Sequence, residues 1–182
     1  MSLEFPVARV RAGLVDRDDV LSLASRRWTE SEAGTGQLLL IAGEAGIGKS
    51  RVLDEIAGRL EGVPVLTTRA WPRDAEFPGA VLVDLARALR QDARTAVGDE
   101  ILARLHSAEP GDDAERQYRI LASDLTDIVL GLLVGEPMLL RIEDLHWADE
   151  LSLDVLERLA PLVRHGRSLV VATYRSDEIR VG

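Results

Sequence analysis

The sequence contains no cysteine among its 182 residues. This absence excludes disulfides, zinc sites built on thiolates and cysteine nucleophiles. Aromatic residues make up only 4% of the chain, so the core has to be built mainly from leucine, valine, isoleucine and alanine. With 46% hydrophobic and 29% charged residues, the chain otherwise has the composition of one globular domain. A domain of this length buries roughly two-thirds of its unfolded surface.

Positive charge is also in short supply, because the formal net charge is −9. A broad, salt-dependent contact with nucleic acid phosphates is therefore not expected, although a local basic pocket for a nucleotide is compatible with this charge. No apolar run approaches the length of a membrane span, and Glu4 and Arg9 lie where a signal peptide would carry its apolar segment. We therefore expect a cytoplasmic protein whose present segment binds neither nucleic acid nor a membrane directly.

The most informative stretch is LLLIAGEAGIGKSR at residues 38–51. Residues 43–50 match G-x-x-x-x-G-K-[ST] at every fixed position, after an apolar run and before a helical pattern, and we call them the phosphate loop. Its glycines let the backbone turn its N–H groups toward a phosphate, and the helix that follows adds the positive end of its dipole. The segment therefore predicts a nucleoside triphosphate site rather than an ordinary strand-to-helix turn.

Individual roles follow for the residues of this stretch. The predicted nucleotide-binding residues are Gly43, Glu44, Ala45, Gly46, Ile47, Gly48, Lys49, Ser50 and Arg51. Lys49 is expected to reach the outer phosphates, and the Ser50 hydroxyl is expected to bind Mg²⁺. The expected ligands are therefore a nucleoside triphosphate and Mg²⁺.

A second apolar run, MLLRIED at residues 138–144, ends in two carboxylates. A carboxylate at the tip of a strand beside a phosphate loop can hold hydrated Mg²⁺, and a second carboxylate can polarise the attacking water. We assign Glu143 to the metal and Asp144 to the water, and we call these two residues the acidic pair. The alternative is two solvated acids at the start of a loop, but the presence of a phosphate loop favours the catalytic interpretation.

Arg175 follows a third apolar run, residues 168–173, and is predicted to contact the γ-phosphate. Arg175 could instead be a surface arginine that pairs with Asp177 or Glu178. Such an ion pair would contribute little to stability. Thr173 could place a hydroxyl near the same site or could simply end the strand.

Three further residues are not assigned to nucleotide binding or catalysis. Trp147 is expected to pack and Asp149 to cap the next helix. Arg141 is unusual, because a charge within a buried strand needs a partner and the sequence does not identify one.

Alternating strand and helix patterns predict an α/β fold in which a mainly parallel sheet is covered on both faces, a three-layer sandwich. The predicted strands are 38–42, 63–70, 138–142 and 168–173, in the order 2-3-4-1. The predicted helices begin near Asp18 and near Lys49 and further span 80–90, about 100–106, 114–134 and 149–163. Residues 1–16 read as irregular, which would leave the first strand at a sheet edge unless another segment pairs with it.

The stretches GEAGIGKSR, LLRIEDLHWADELSL and VVATYRSDE, in that order, resemble the ATPase domain of STAND-type AAA+ proteins. The resemblance is strongest to the large ATP-binding LuxR-like transcription regulators of bacteria and covers residues 10–180. Residues 14–18 resemble the L-V-G-R-E motif of that family, which lies near the adenine, so the resemblance adds Val15 and Arg17 to the nucleotide-binding residues. Asp16, Glu143 and Arg141 depart from the family, which usually has glycine, aspartate and an apolar residue at these positions.

The resemblance implies a nucleotide switch, in which ATP binding favours an assembly-competent form and slow hydrolysis resets it. It implies a P-loop ATPase core over residues 1–182, with an N-terminal segment and helix at 1–36 and the nucleotide-binding core at 37–182. The family continues with a fifth strand, a helical lid and C-terminal domains, so we expect a fragment whose partners include those domains and further copies of itself. Two alternatives remain: an interaction module that binds nucleotide without turnover, and a small-molecule kinase.

Overall fold

The computed structural model describes residues 7–11, 17–92, 94–107 and 113–176, and at residues 7–11 and 17 it describes the backbone alone. These ranges form five strands and six α-helices. The strands are β1 (Val7–Arg11), β2 (Gln37–Gly43), β3 (Val65–Arg69), β4 (Leu139–Glu143) and β5 (Leu169–Arg175). The helices are α1 (Arg17–Glu32), α2 (Lys49–Arg59), α3 (Ala80–Gln91), α4 (Thr95–His106), α5 (Ala114–Gly135) and α6 (Glu150–Leu159).

The strands form one parallel sheet in the order β1-β2-β5-β4-β3. The four predicted strands correspond, in chain order, to β2, β3, β4 and β5. Their spatial order β3-β4-β5-β2 reproduces the predicted order 2-3-4-1. The fold prediction of a parallel α/β sandwich is therefore confirmed. Parallel neighbours need crossover connections, and the helices between the strands provide them.

The prediction of irregular structure near the N-terminus was wrong for residues 7–11. They form β1, which pairs with β2 in parallel, from Val7 beside Leu38 to Arg11 beside Ala42. Strand β2 is therefore not an edge of the sheet. Unlike the predicted strands, these residues (VARVR) are not a continuous apolar run, because Arg9 and Arg11 interrupt it, and the strand is defined by its backbone pairing with β2.

Apolar side chains cover both faces of the sheet, because successive residues of a strand point to opposite sides. On β2, Leu39 and Ile41 belong to one core, which α1 and α2 cover. Leu38 belongs to the other core, which α3, α5 and α6 cover together with Ile101 of α4. Burial on both sides explains why the strands read as continuous apolar runs. Among the described residues, no helix is both long and apolar enough to cross a bilayer.

Two helix boundaries differ from the prediction. Helix α4 begins at Thr95 instead of near residue 100, and α6 ends at Leu159, before a short 3₁₀ turn at Val163–His165. Gly98 explains the close packing of α4 on α3, because a Cβ at this position would lie 2.6 Å from the carbonyl oxygen of Ala86.

Asp149 joins the beginnings of two helices on one side of the sheet. Its carboxylate accepts hydrogen bonds from the N–H and hydroxyl of Ser152 in α6, at 2.9 and 2.6 Å. It also accepts one from the N–H of Gly79, just before α3, at 2.6 Å. The predicted capping role is confirmed, and a buried carboxylate with several such donors fixes α3 relative to α6.

Candidate functional site

The candidate site lies where the carboxyl ends of four neighbouring strands meet. Strand register places Gly43 of β2 beside Arg175 of β5, and Arg69 of β3 beside Glu143 of β4. In parallel α/β sheets, ligands bind in the crevice at this edge. The phosphate loop, the acidic pair and Arg175 are therefore brought together as predicted.

The phosphate loop joins β2 to α2 through two left-handed glycines. Gly46 has φ +74°, and Gly48, which precedes α2, has φ +96° and ψ +28°. An L-residue with a side chain would be strained at either position. Gly43 is buried, whereas Glu44, Ala45, Gly46 and Ile47 are exposed. The loop therefore projects from the sheet edge at the N-terminus of a helix, where an anion is favoured.

Lys49 is the first residue of α2 and is only 8% exposed. Its ammonium group donates hydrogen bonds to the carbonyl oxygens of Gly43 and Glu44, both at 2.9 Å. The side chain thus folds back over the phosphate loop. The ammonium group lies inside the turn that the loop makes, close to where the motif places the outer phosphates.

Ser50 connects the phosphate loop to β4, which is 93 residues away in sequence. Its hydroxyl donates a hydrogen bond of 2.9 Å to the Oε2 atom of Glu143. Glu143 is only 4% exposed, which is unusual for an acidic residue. The two residues assigned to Mg²⁺ from sequence are therefore in direct contact.

Two arginines complete the surroundings of Glu143. Arg69 donates to its Oε2 atom at 2.5 Å, and Arg141 donates to its Oε1 atom at 3.1 Å. Arg141 also donates to Asp54 of α2 at 2.8 Å, which provides the partners that the sequence did not identify. The hydrogen bond to Glu143 raises the pKa of Arg69, against the opposing effect of burial. The two arginines compensate the charge of the buried acid.

Arg69 was not predicted as a site residue. A signal was present, because it lies at the end of a predicted strand that neighbours the strand carrying the acidic pair. The carboxyl ends of parallel strands meet at one edge. An arginine at that position is therefore expected to face the acids.

Asp144 has a left-handed backbone, with φ +59° and ψ +42°, and is the only non-glycine residue with positive φ in the described ranges. Its N–H donates to the hydroxyl of Thr173 at 3.1 Å, so the Thr173 hydroxyl does lie at this site. The Asp144 carboxylate is 35% exposed, with an oxygen 4.0 Å from Nε of Arg69. Strained backbone of this kind is concentrated at functional sites, because the surrounding contacts have to maintain it.

Arg175 ends β5 beside the phosphate loop. Its guanidinium carbon lies 5.9 Å from the ring centroid of Trp147, within the range of a cation–π interaction. Trp147 packs against the core, as predicted, and also contacts Arg175. The alternative partners Asp177 and Glu178 lie outside the described residues.

Of the remaining predicted site residues, Arg51 does not take part in this assembly. Arg51 donates to Glu55 one turn along α2, at 3.0 Å, and its side chain is largely exposed. Val15 lies outside the described residues, and of Arg17 only the backbone at the start of α1 is described. The adenine side of the site therefore stays a prediction.

The donor set fits Mg²⁺. This ion is usually held by one or two protein oxygens together with phosphates and waters, and Ser50 and Glu143 supply such oxygens. No cluster of three or more histidine, aspartate or glutamate side chains that could hold a metal occurs in the described ranges. The two protein oxygens suit an ion that arrives with a phosphate ligand.

The chain is similar to a protein family and to individual proteins. The sequence profile of the AAA ATPase domain matches residues 14–171. An uncharacterized protein of Rhizobium meliloti (strain 1021) is 27% identical over 202 aligned residues, which cover 94% of this chain and 19% of that protein. A chain in the structure of Drosophila ORC bound to DNA is 13% identical, with a TM-score of 0.44, over 88% of this chain and 80% of that one. The residues that the family profile matches include the phosphate loop and the acidic pair.

Proposed function

Because this chain belongs to the AAA ATPase domain family, we propose that it binds ATP with Mg²⁺, hydrolyses it slowly and acts as a nucleotide switch. The contact that carries the proposal is the 2.9 Å hydrogen bond between Ser50 and Glu143. It joins a phosphate loop to an acid on another strand, which is the arrangement that Mg·ATP requires. When bound, Mg²⁺ would neutralise charge on the phosphates.

The larger setting we propose is a multidomain bacterial transcription regulator of the LuxR-like, STAND type. Residues 1–182 would form its P-loop ATPase core, with 1–36 as an N-terminal segment and 37–182 as the nucleotide-binding part. The support is the resemblance of three motifs and the length of the bacterial relative, of which the chain covers only 19%. The partners in this proposal are the other domains of such a protein and further copies of it.

A second candidate function is nucleotide binding without turnover. It is favoured by the arginines at the acidic pair, because Arg69 contacts Glu143 and lies 4.0 Å from Asp144. An arginine in this position competes with a water molecule for the carboxylate oxygens. A protein of this kind would still change its associations with the bound nucleotide.

Binding itself is the first test. Calorimetry of the 182-residue chain with ADP and Mg²⁺ is expected to give a dissociation constant in the micromolar range or weaker. The described residues offer contacts to the phosphates. These contacts alone have to offset the entropy that is lost when the nucleotide binds. The same titration with adenosine, which has no phosphate, should show no binding. Sub-micromolar affinity would indicate extensive base contacts and would contradict this account.

Arg175 offers a second test, because it distinguishes a switch from simple phosphate binding. Arg175→Ala is expected to weaken ATP binding by between about tenfold and a hundredfold, since one charge-assisted contact with the γ-phosphate is lost. ADP affinity should change little, because ADP lacks that phosphate. A ligand shifts a conformational equilibrium only by its differential affinity for the two states. Calorimetry with ADP and a non-hydrolysable ATP analogue measures both values.

A suitable control is Arg167→Ala, because Arg167 is exposed and precedes the opposite end of β5. It should leave the ratio of ATP to ADP affinity unchanged. Equal losses of ATP and ADP binding in Arg175→Ala would show that Arg175 supports the fold of the site and does not report the γ-phosphate.

A further inference from the structure

Arg141 is a charged residue within a central strand. It pairs in register with Thr67 of β3 and Val171 of β5, and its side chain is only 11% exposed. Side chains two residues apart on a strand share a face, so Arg141 lies on the same side as Glu143 and Leu139. That side is covered by α2. An apolar residue would satisfy this position without the cost of burying a charge.

The hydrogen bonds of Arg141 are incomplete, which argues against a role in stability alone. One terminal nitrogen of the guanidinium donates to both Asp54 and Glu143, at 2.8 and 3.1 Å. Its buried Nε atom has no hydrogen-bond partner within the described part of the chain. Buried ion pairs with unsatisfied donors are often no more stable than apolar replacements. The residue is therefore better explained by what it does to Glu143.

The two oxygens of Glu143 face different groups. Arg141 holds Oε1, whereas Oε2 accepts from Ser50 and from Arg69. The Arg69 side chain is 38% exposed, so of the two arginines Arg141 is the enclosed one. We propose that Arg141, itself paired with Asp54 of the phosphate-loop helix, is a positioning residue that orients the Glu143 carboxylate so that Oε2 faces Ser50.

This inference rests on the proposed function, because it concerns how Glu143 meets Mg²⁺ that arrives with a nucleotide. Partners that orient a metal-binding carboxylate commonly change metal affinity by about ten- to a hundredfold when they are removed. The hydrogen bond from Arg141 to Asp54 also holds Arg141 against α2, the helix that begins at Lys49. The magnesium-dependent part of nucleotide binding should therefore depend on Arg141.

The test is ADP calorimetry of the chain in Mg²⁺ and in EDTA, on the wild type and on Arg141→Met. Methionine fills similar space without charge, and Glu143 keeps its contacts with Ser50 and Arg69. We expect the gain in affinity that Mg²⁺ gives the wild type to fall by about tenfold in the variant, with affinity in EDTA within about twofold. The melting temperature should fall by no more than a few degrees. Asp54→Asn, at a largely exposed position, should show a smaller loss of the same kind.

Arg90→Met is the matched control, because Arg90 of α3 forms an exposed ion pair with Asp99 of α4 and has no contact with Glu143 among the described ion pairs. It should leave the magnesium-dependent gain unchanged. Equal losses in Mg²⁺ and in EDTA, no loss at all, or a wild type without any magnesium-dependent gain would overturn the positioning role. A wild type that binds no ADP under either condition would instead overturn the proposed function.

Discussion

Replacing Lys49 with alanine is expected to abolish detectable binding of ATP and ADP while the fold survives. The ammonium group is expected to contact two phosphates, and charge-assisted hydrogen bonds contribute about 1.5–3 kcal/mol each. Their loss should weaken binding by at least about a hundredfold. Since wild-type affinity is expected to be micromolar or weaker, the variant should show no heat of binding in the calorimeter.

Lys49→Met is the matched variant for the fold. Lys49 is 8% exposed, so alanine removes packing of the side-chain stem as well as the charge. Methionine keeps most of that packing and should lose nucleotide binding equally, with a smaller change in melting temperature. Nucleotide affinity in Lys49→Met close to that of the wild type would show that the lysine does not contact phosphate.

The composition permits an independent measurement, because Lys49 is the only lysine in the sequence. Acylation of amines, followed by mass spectrometry, therefore reports on this side chain and the N-terminal amine alone. Mg·ADP should slow modification of Lys49 and leave the N-terminus unaffected. Equal rates with and without nucleotide would contradict a contact between Lys49 and phosphate.

Asp144→Asn is expected to slow phosphate release by about a hundredfold to ten-thousandfold, the usual range for loss of a general base. In the proposed reaction, the oxygen of water bonds to the γ-phosphorus while the bond from that phosphorus to the β–γ bridging oxygen breaks, and ADP leaves. The proton of the water passes to the Asp144 carboxylate. Asparagine keeps the size of the side chain and, like aspartate, tolerates the left-handed backbone with φ +59°. Nucleotide affinity should therefore stay within about twofold.

The measurement pairs phosphate release with calorimetry on the same samples, and Asp127→Asn on the exposed face of α5 serves as the control. This control carries the same chemical change away from the site and should behave as the wild type. If the wild type releases phosphate no faster than Asp144→Asn, the chain binds without turnover, and the second candidate function is correct. A large loss of affinity in Asp144→Asn would indicate damage to the site instead.

The phosphate loop could be recognised from sequence because its geometry and its chemistry reside in one contiguous stretch. The glycines that permit φ +74° and +96° at Gly46 and Gly48 stand beside Lys49 and Ser50. Four of the strands and their parallel direction were likewise predictable, since each strand is an apolar run and the connections between them are helical. The acids at the end of β4 could be placed near the loop because parallel strands end at one edge.

The surroundings of Glu143 depended on tertiary structure. Arg69 lies 74 residues from Glu143, and Asp54 lies 87 residues from Arg141. No local sequence pattern predicts which arginine pairs with which acid, because ion pairs between strands depend on side-chain direction and on the register of the strands. The same reason explains why the contact of Asp149 with Gly79 was not predicted although its helix cap was.

The sequence by itself determined the parallel α/β class, the phosphate loop and the acids facing it, since periodicity and motif spacing are properties of short segments. The tertiary structure alone decided that Val7–Arg11 is a fifth strand and that two arginines enclose Glu143. Strand β1 is defined by backbone hydrogen bonds to β2, which carry no side-chain signature. The arginines are defined by charge compensation of a buried acid, which exists only once the strands are adjacent.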